Sequence, residues 1–148
     1  GPVVVSFYRG SWCVFCSTEF HSYQSVLSTI QNLGATLLAI SPQTLDCTPE
    51  DCEPDSVAFH NLSDKGNAVA RKFGIVYHLA DEMQSVYQDL GLDLPEYNGD
   101  DSFDLPVPAT YVIDTDATIR LAFVNPDYTR RLDPVEVLAI LKTLKSAA

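Results

Sequence analysis

Cys13 and Cys16 are the residues of this 148-residue chain whose type and spacing suit them to chemistry. They lie in Trp12-Cys13-Val14-Phe15-Cys16, between an apolar, β-branched run and a segment of helical periodicity. On a helix, positions i and i+3 hold their Cα atoms about 5 Å apart, inside the window of roughly 4.4–6.8 Å that a disulfide needs. Such a pair opens and closes with little backbone movement. The first turn of a helix also presents unpaired N–H groups and the positive end of the macrodipole, which favour a thiolate over a thiol. A cysteine placed there falls from a pKa of about 8.5 to roughly 3.5–7.5, and the thiolate is the species that attacks disulfides and peroxides. Trp12 is expected to shield one side of the pair, and Arg9, at the end of the preceding apolar run, is the nearest cation in sequence.

Two other uses of the pair stay open at this level. Cys13 and Cys16 could be half of a zinc site completed by Cys47 and Cys52, although the Pro- and acid-rich gap between the second two is unlike a zinc knuckle. They could also be inert core cysteines, but two such residues have no reason to sit at a strand-to-helix corner behind a Trp. Cys47 and Cys52 themselves could close a local loop disulfide, stay free, or relay electrons to the first pair. Their acidic neighbours Asp46, Glu50 and Asp51 raise a thiol pKa and favour a structural or incidental role. His21, His60 and His78 stand apart in sequence and read as structural or surface residues.

The elements that must position the cysteines are legible from periodicity. Val3 to Tyr8 reads as a strand buried on both faces. Phe20, Tyr23, Leu27 and Ile30, with Val26 and Leu33, form the apolar face of a helix that Gly34 ends. Ala35 to Ile40 is the next buried strand, closed by Ser41-Pro42, and strand–helix–strand in this order makes a right-handed parallel unit. Functional residues gather at the C-terminal ends of such strands, where the cysteines lie. Residues 42–56 read as a Pro-rich loop and Val57 to Leu62 as a short edge strand. Ser63 or Asp64 caps a helix through Ala68, Val69 and Phe73, and a third helix from Asp81 to Leu90 has Met83, Val86, Tyr87 and Leu90 on one face. Residues 92–108 read as a long surface insertion. Ala109 to Ile113 and Thr118 to Val124 follow as an antiparallel hairpin. Asp133-Pro134-Val135-Glu136 opens a last helix, whose Val135, Leu138, Ile140, Leu141 and Leu144 cover the sheet.

Composition bounds the function class. The net charge of −11 disfavours nucleic acid and anionic lipid as partners, and no apolar run approaches the roughly 20 residues of a membrane span. The acids Asp93, Glu96, Asp100, Asp101 and Asp104 read as a solvated loop, and neither a resident metal nor a cofactor is expected. Four cysteines are too few for a secreted disulfide framework and fit a cytoplasmic protein that uses thiols for chemistry. Residues 1–148 read as one domain, and a core strand at the very first residues predicts that a segment precedes it.

The element order is that of an α/β thioredoxin-like fold, a central mixed β-sheet flanked by helices. Within it the chain resembles the peroxiredoxin-like branch, the alkyl hydroperoxide reductase and thiol-specific antioxidant family. Phe7-Tyr8-Arg9-Gly10-Ser11-Trp12-Cys13-Val14-Phe15-Cys16-Ser17-Thr18-Glu19 is similar to that family's strand, loop and cysteine followed by Pro-Thr-Glu. Ala39-Ile40-Ser41, Leu62-Ser63-Asp64 and Ala109-Thr110-Tyr111-Val112-Ile113-Asp114 fit the same template. The resemblance implies Cys16 as the peroxide-attacking cysteine, Thr18 and Glu19 as supporting residues, and a cis-Pro108 packed against the cysteines. It implies hydroperoxide or disulfide substrates and a thioredoxin-like or small-thiol reductant, and it leaves a homodimer open. Two positions depart from it. The family's threonine is here Cys13, and its activating arginine falls at or beside Pro108, which leaves Arg9 to substitute. Two redox functions follow: a thiol peroxidase in which Cys16 attacks and Cys13 resolves, or a thioredoxin-like disulfide reductase in which Cys13 attacks. A redox sensor or a structural zinc site is the non-enzymatic alternative.

Overall fold

The computed structural model describes residues 1–44 and 60–148. Cys47, Cys52 and the start of the expected edge strand lie outside the described residues. A near-continuous apolar run builds β1 (Val3–Phe7), and its two buried faces enter different cores. Val4, with Tyr8 just beyond the strand, packs under α1 (Val14–Asn32), whereas Val5 and Phe7 pack with Ala70, Ile75 and Tyr111 on the other side. β2 (Thr36–Ser41) runs parallel to β1 and pairs in turn with β3 (His60–Ser63), whose side chains are exposed as befits an edge. On the other flank β6 (Ala109–Ile113) is antiparallel to β1 and carries β7 (Ile119–Val124) as the second arm of a hairpin. The sheet order is β3-β2-β1-β6-β7, a mixed sheet with helices against it. Among the described residues no helix is long and apolar enough to cross a membrane.

Local signals set most boundaries. Gly34 adopts φ +80° at the end of α1, a conformation that costs glycine nothing. α5 (Pro134–Ala147) begins where Asp133 accepts the Val135 N–H at 2.9 Å, with proline in the first turn. Asp64 is the expected cap of the helical stretch formed by a 3₁₀ turn (Lys65–Asn67) and α2 (Ala68–Lys72). Its buried carboxylate accepts the amides of Val69 and Ala70, each at 2.9 Å. Replacing Asp64 with Ala leaves those donors unpaired and is expected to cost about 1–2 kcal/mol in urea denaturation. A change within experimental error would show that water satisfies them equally well.

Three expectations are corrected. α3 (Asp81–Asp89) forms, but Met83, Val86 and Leu90 on its predicted inner face are exposed, and only Tyr87 turns inward, onto Trp12. Residues 92–108 are no mere surface insertion, because they contain α4 (Leu94–Asn98) and β5 (Asp104–Pro106), which pairs with β4 (Val76–His78). Leu94 and Leu105 are fully buried there with Leu79, and a local count of polar residues cannot reveal this small third core. In α5 the most deeply buried residues are Val137 and Leu141, whereas Val135 points to solvent beside a groove. The acidic run is tied into turns and pairs: Asp93 caps α4, Asp100 accepts from Ser102, and Asp104 pairs with Arg71 at 2.6 Å and His78 at 3.0 Å.

Candidate active site

The chain leaves β1 through Tyr8, Arg9 and Gly10 and enters α1 at Cys13. Gly10 has φ +156°, and a Cβ there would run into the indole nitrogen of Trp12. Cys13 occupies the N-cap of α1 in an extended conformation, and Cys16 follows in the first turn. Both sulfurs are buried, and the S–H of Cys16 donates to the Cys13 sulfur at 2.9 Å. The pair is reduced in this structure.

Two guanidinium groups flank it. Arg9, only 4% exposed, donates from Nη2 to Cys13 Sγ at 3.4 Å and from Nη1 to the Tyr87 hydroxyl at 3.1 Å. Its charge lies between two rings, 5.1 Å from the Trp12 centroid and 4.3 Å from that of Tyr128. Aromatic faces stabilise a desolvated cation there. Arg131, in the segment before α5, donates from Nη2 to Cys16 Sγ at 3.2 Å and to Cys13 Sγ at 3.9 Å. Its Nη1 holds Glu19 at 2.7 Å and its Nε holds the Tyr128 carbonyl at 2.8 Å. Glu19 is buried on α1 and accepts the Thr110 hydroxyl from β6 at 3.3 Å. Burial raises the Glu19 carboxyl above its ordinary pKa, against the pull of Arg131.

The anion belongs on Cys13. Three donors reach its sulfur: the Cys16 thiol, Arg9 and, at longer range, Arg131. The hydrogen bond from Cys16 is the largest influence and Arg9 adds to it, so the Cys13 pKa falls to about 5 despite burial. Cys16 is driven well above an ordinary thiol, first by the hydrogen bond it gives Cys13 and then by burial, with Arg131 opposing. At neutral pH the dithiol carries one charge, and Cys16 keeps its proton.

The sequence-derived residues divide. Cys13, Cys16, Arg9, Trp12 and Glu19 come together. Thr18 does not: its hydroxyl bonds the Val14 carbonyl at 3.0 Å on the exposed side of α1. The expected cis bond before Pro108 is also absent, since no described peptide bond is cis. Pro106 pairs with Val76 and the Val107 N–H bonds Ile75 at 2.7 Å, so the chain runs extended from β5 into β6 across a trans bond. The three histidines are exposed, and among the described residues no set of three metal-ligating side chains forms.

Arg131 was not anticipated, although the hairpin held a clue. Phe7 pairs with Ala109 and Ala109 with Val124, so the chain must leave β7 at the edge where the cysteines lie. Any charged residue between Val124 and the cap Asp133 was therefore a candidate. A groove of about 510 Å³ opens beside the Glu19–Arg131 pair, lined also by Phe15, Thr18, Val26 and Val135; the sulfurs do not line it.

A family model described as AhpC/TSA matches residues 1–122. Among curated protein sequences the chain has no match. Among solved structures, peroxidoxin BcpB from Mycobacterium tuberculosis is 20% identical, with a TM-score of 0.69 over 97% of this chain and 79% of that one. Xanthomonas campestris peroxiredoxin Q is 18% identical, with the same TM-score of 0.69 and the same 97% and 79% coverage. Plasmodium vivax 2-Cys peroxiredoxin, reduced, is 16% identical, with a TM-score of 0.66 over 99% of this chain and 78% of that one. These likenesses establish the shared fold, and the segment bearing Arg131 lies beyond the matched family region.

Proposed function

Because this chain belongs to the AhpC/TSA family, we propose that it is a thiol-dependent peroxidase in which Cys13, and not the template's Cys16, is the attacking thiolate. The observation that carries the assignment is that the Cys16 thiol and the Arg9 guanidinium both donate to Cys13 Sγ. The thiolate attacks the terminal oxygen of a hydroperoxide, the O–O bond breaks, and the alkoxide leaves and takes a proton from solvent. Cys13 becomes a sulfenic acid. Arg9, 3.4 Å from that sulfur, supplies a cation where the chain has Pro108 in place of the family's arginine, and its charge stabilises the negative oxygens of the transition state. Cys16 then attacks the Cys13 sulfur, water leaves, and the disulfide forms across a gap that is only 2.9 Å before reaction. A thioredoxin-type protein or a small thiol resets the pair, as in the reducing cytoplasm.

The test is a titration in a Cys47→Ser/Cys52→Ser background, so that only Cys13 and Cys16 are read. One equivalent of an alkyl hydroperoxide is expected to give the alcohol and remove two hydrogens from the intact mass. Unconsumed hydroperoxide with the dithiol intact would refute the reading. A depressed thiolate at a helix N-cap also suits disulfide reduction, the second reading, and turnover of insulin without turnover of hydroperoxide would select it.

A further inference from the structure

Arg131 and Arg9 are not redundant, because they address different sulfurs. Arg9 reaches Cys13 at 3.4 Å, whereas Arg131 lies nearer Cys16, at 3.2 Å against 3.9 Å. Arg131 is also braced at both ends, by Glu19 and by the Tyr128 carbonyl, so it holds that position without help from either sulfur. In the reduced pair this placement has little use, since the charge is on Cys13 and Cys16 is protonated.

The placement becomes useful after the first step. We infer that Arg131 is the positioning residue of the second step: once Cys13 has spent its charge, Arg131 pairs with Cys16 and makes it the resolving thiolate. This rests on the reading of Cys13 as the attacking residue. The physical basis is a change of neighbours. The ionisable or charged groups facing Cys16 are Cys13 on the helix cap, Tyr8 after β1 and Arg131 before α5; Arg9 meets it through its backbone, and Glu19 stands behind it, paired with Arg131. Of these, the Cys13 thiolate is the chief group that keeps Cys16 protonated, and it disappears when Cys13 forms a bond to oxygen or sulfur. Burial still raises the Cys16 thiol, and the pull of Arg131 is the chief side-chain influence left to oppose it. The Cys16 thiolate attacks Cys13 Sγ and displaces hydroxide, which takes up the proton that Cys16 released. The sum is one sulfenic acid and one thiol giving one disulfide and one water.

The step can be read without peroxide. In the Cys47→Ser/Cys52→Ser background, an aromatic disulfide such as 5,5′-dithiobis(2-nitrobenzoate) gives a mixed disulfide on Cys13 and releases one coloured thiolate. Attack by Cys16 closes the pair and releases a second. In Arg131→Gln the second release is expected to slow by roughly 3–10-fold: a rise of about 1–2 pK units cuts the thiolate fraction, and higher intrinsic nucleophilicity restores about half of that on a logarithmic scale. The pH midpoint of the second release should move up, the first release should slow less than the second, and Arg131→Lys should fall between. An unchanged second release in a folded Arg131→Gln protein would overturn the inference and leave Arg131 as the structural partner of Glu19. A first release slowed as much as the second would also overturn it. If Arg131→Gln does not fold, the ratio of the two releases in Arg131→Lys decides by the same criterion. A first release that survives in Cys13→Ser would instead overturn the assignment of Cys13 beneath it.

Discussion

Cys13→Ser is expected to abolish oxidation by a stoichiometric hydroperoxide, whereas Cys16→Ser completes the first step and stops at a sulfenic acid. The effect is the largest available, because a nucleophile has no substitute. Loss of such a residue costs on the order of a thousandfold or more. The family template implies the reverse assignment, with Cys16 attacking. The structure places the donors otherwise, with the Cys16 thiol and Arg9 directed at Cys13 and Arg131 nearer Cys16. In Cys16→Ser the serine hydroxyl still donates to Cys13, so the thiolate persists and reacts. With no partner to close on, the sulfenic acid is captured by dimedone or, in excess peroxide, gains further oxygen. Intact-mass measurement separates these products. A sulfenic acid on Cys16 in the Cys13→Ser protein would return the attacking role to Cys16.

The second large effect is expected at Arg9. Arg9→Gln removes a cation 3.4 Å from the attacking sulfur and leaves the Trp12 and Tyr128 faces without a charge between them. Two consequences separate by pH. Attack requires the thiolate, so in the unmodified protein the rate rises with pH through about 5 and then levels. Without Arg9 the Cys13 pKa rises, so the midpoint moves upward and the loss at acid pH is greater than at neutral pH. At neutral pH most of the thiolate survives, and reaction with an aromatic disulfide changes little. Hydroperoxide reduction should still fall by roughly 100-fold, the scale on which one preorganised donor to a developing oxyanion acts. Equal losses for both substrates at neutral pH would show that Arg9 only holds the thiolate, with no role at the peroxide oxygens.

Most of the frame around the cysteines is legible in the sequence. The Val3–Tyr8 run, the Phe20-Tyr23-Leu27-Ile30 face and the hairpin at Ala109–Val124 all formed as read, and Asp133 and Asp64 cap the helices that follow them. Each reading draws on interactions within a few residues: side-chain period, a capping oxygen, a connection too short for a crossover. Where the outcome depended on distant packing, the sequence misled. The apolar residues of α3 have the spacing of a buried face, yet Met83, Val86 and Leu90 meet no neighbour that covers them. Leu94 and Leu105 lie among acids and prolines, yet Leu79 closes over them.

The site divides in the same way. Sequence alone determined that two thiols share the first turn of a helix at the C-terminal edge of a strand, close enough to bond. That follows from helical rise and from the parallel unit around it. Which sulfur carries the charge was decided by the tertiary structure. Arg131 is 115 residues from Cys16, and Tyr87 is 78 residues from the arginine it steadies. Electrostatic preference within a buried pair depends on donors brought in by separate elements, and only the folded sheet, by returning β7 to the cysteine edge, sets Arg131 beside one sulfur and leaves Arg9 with the other.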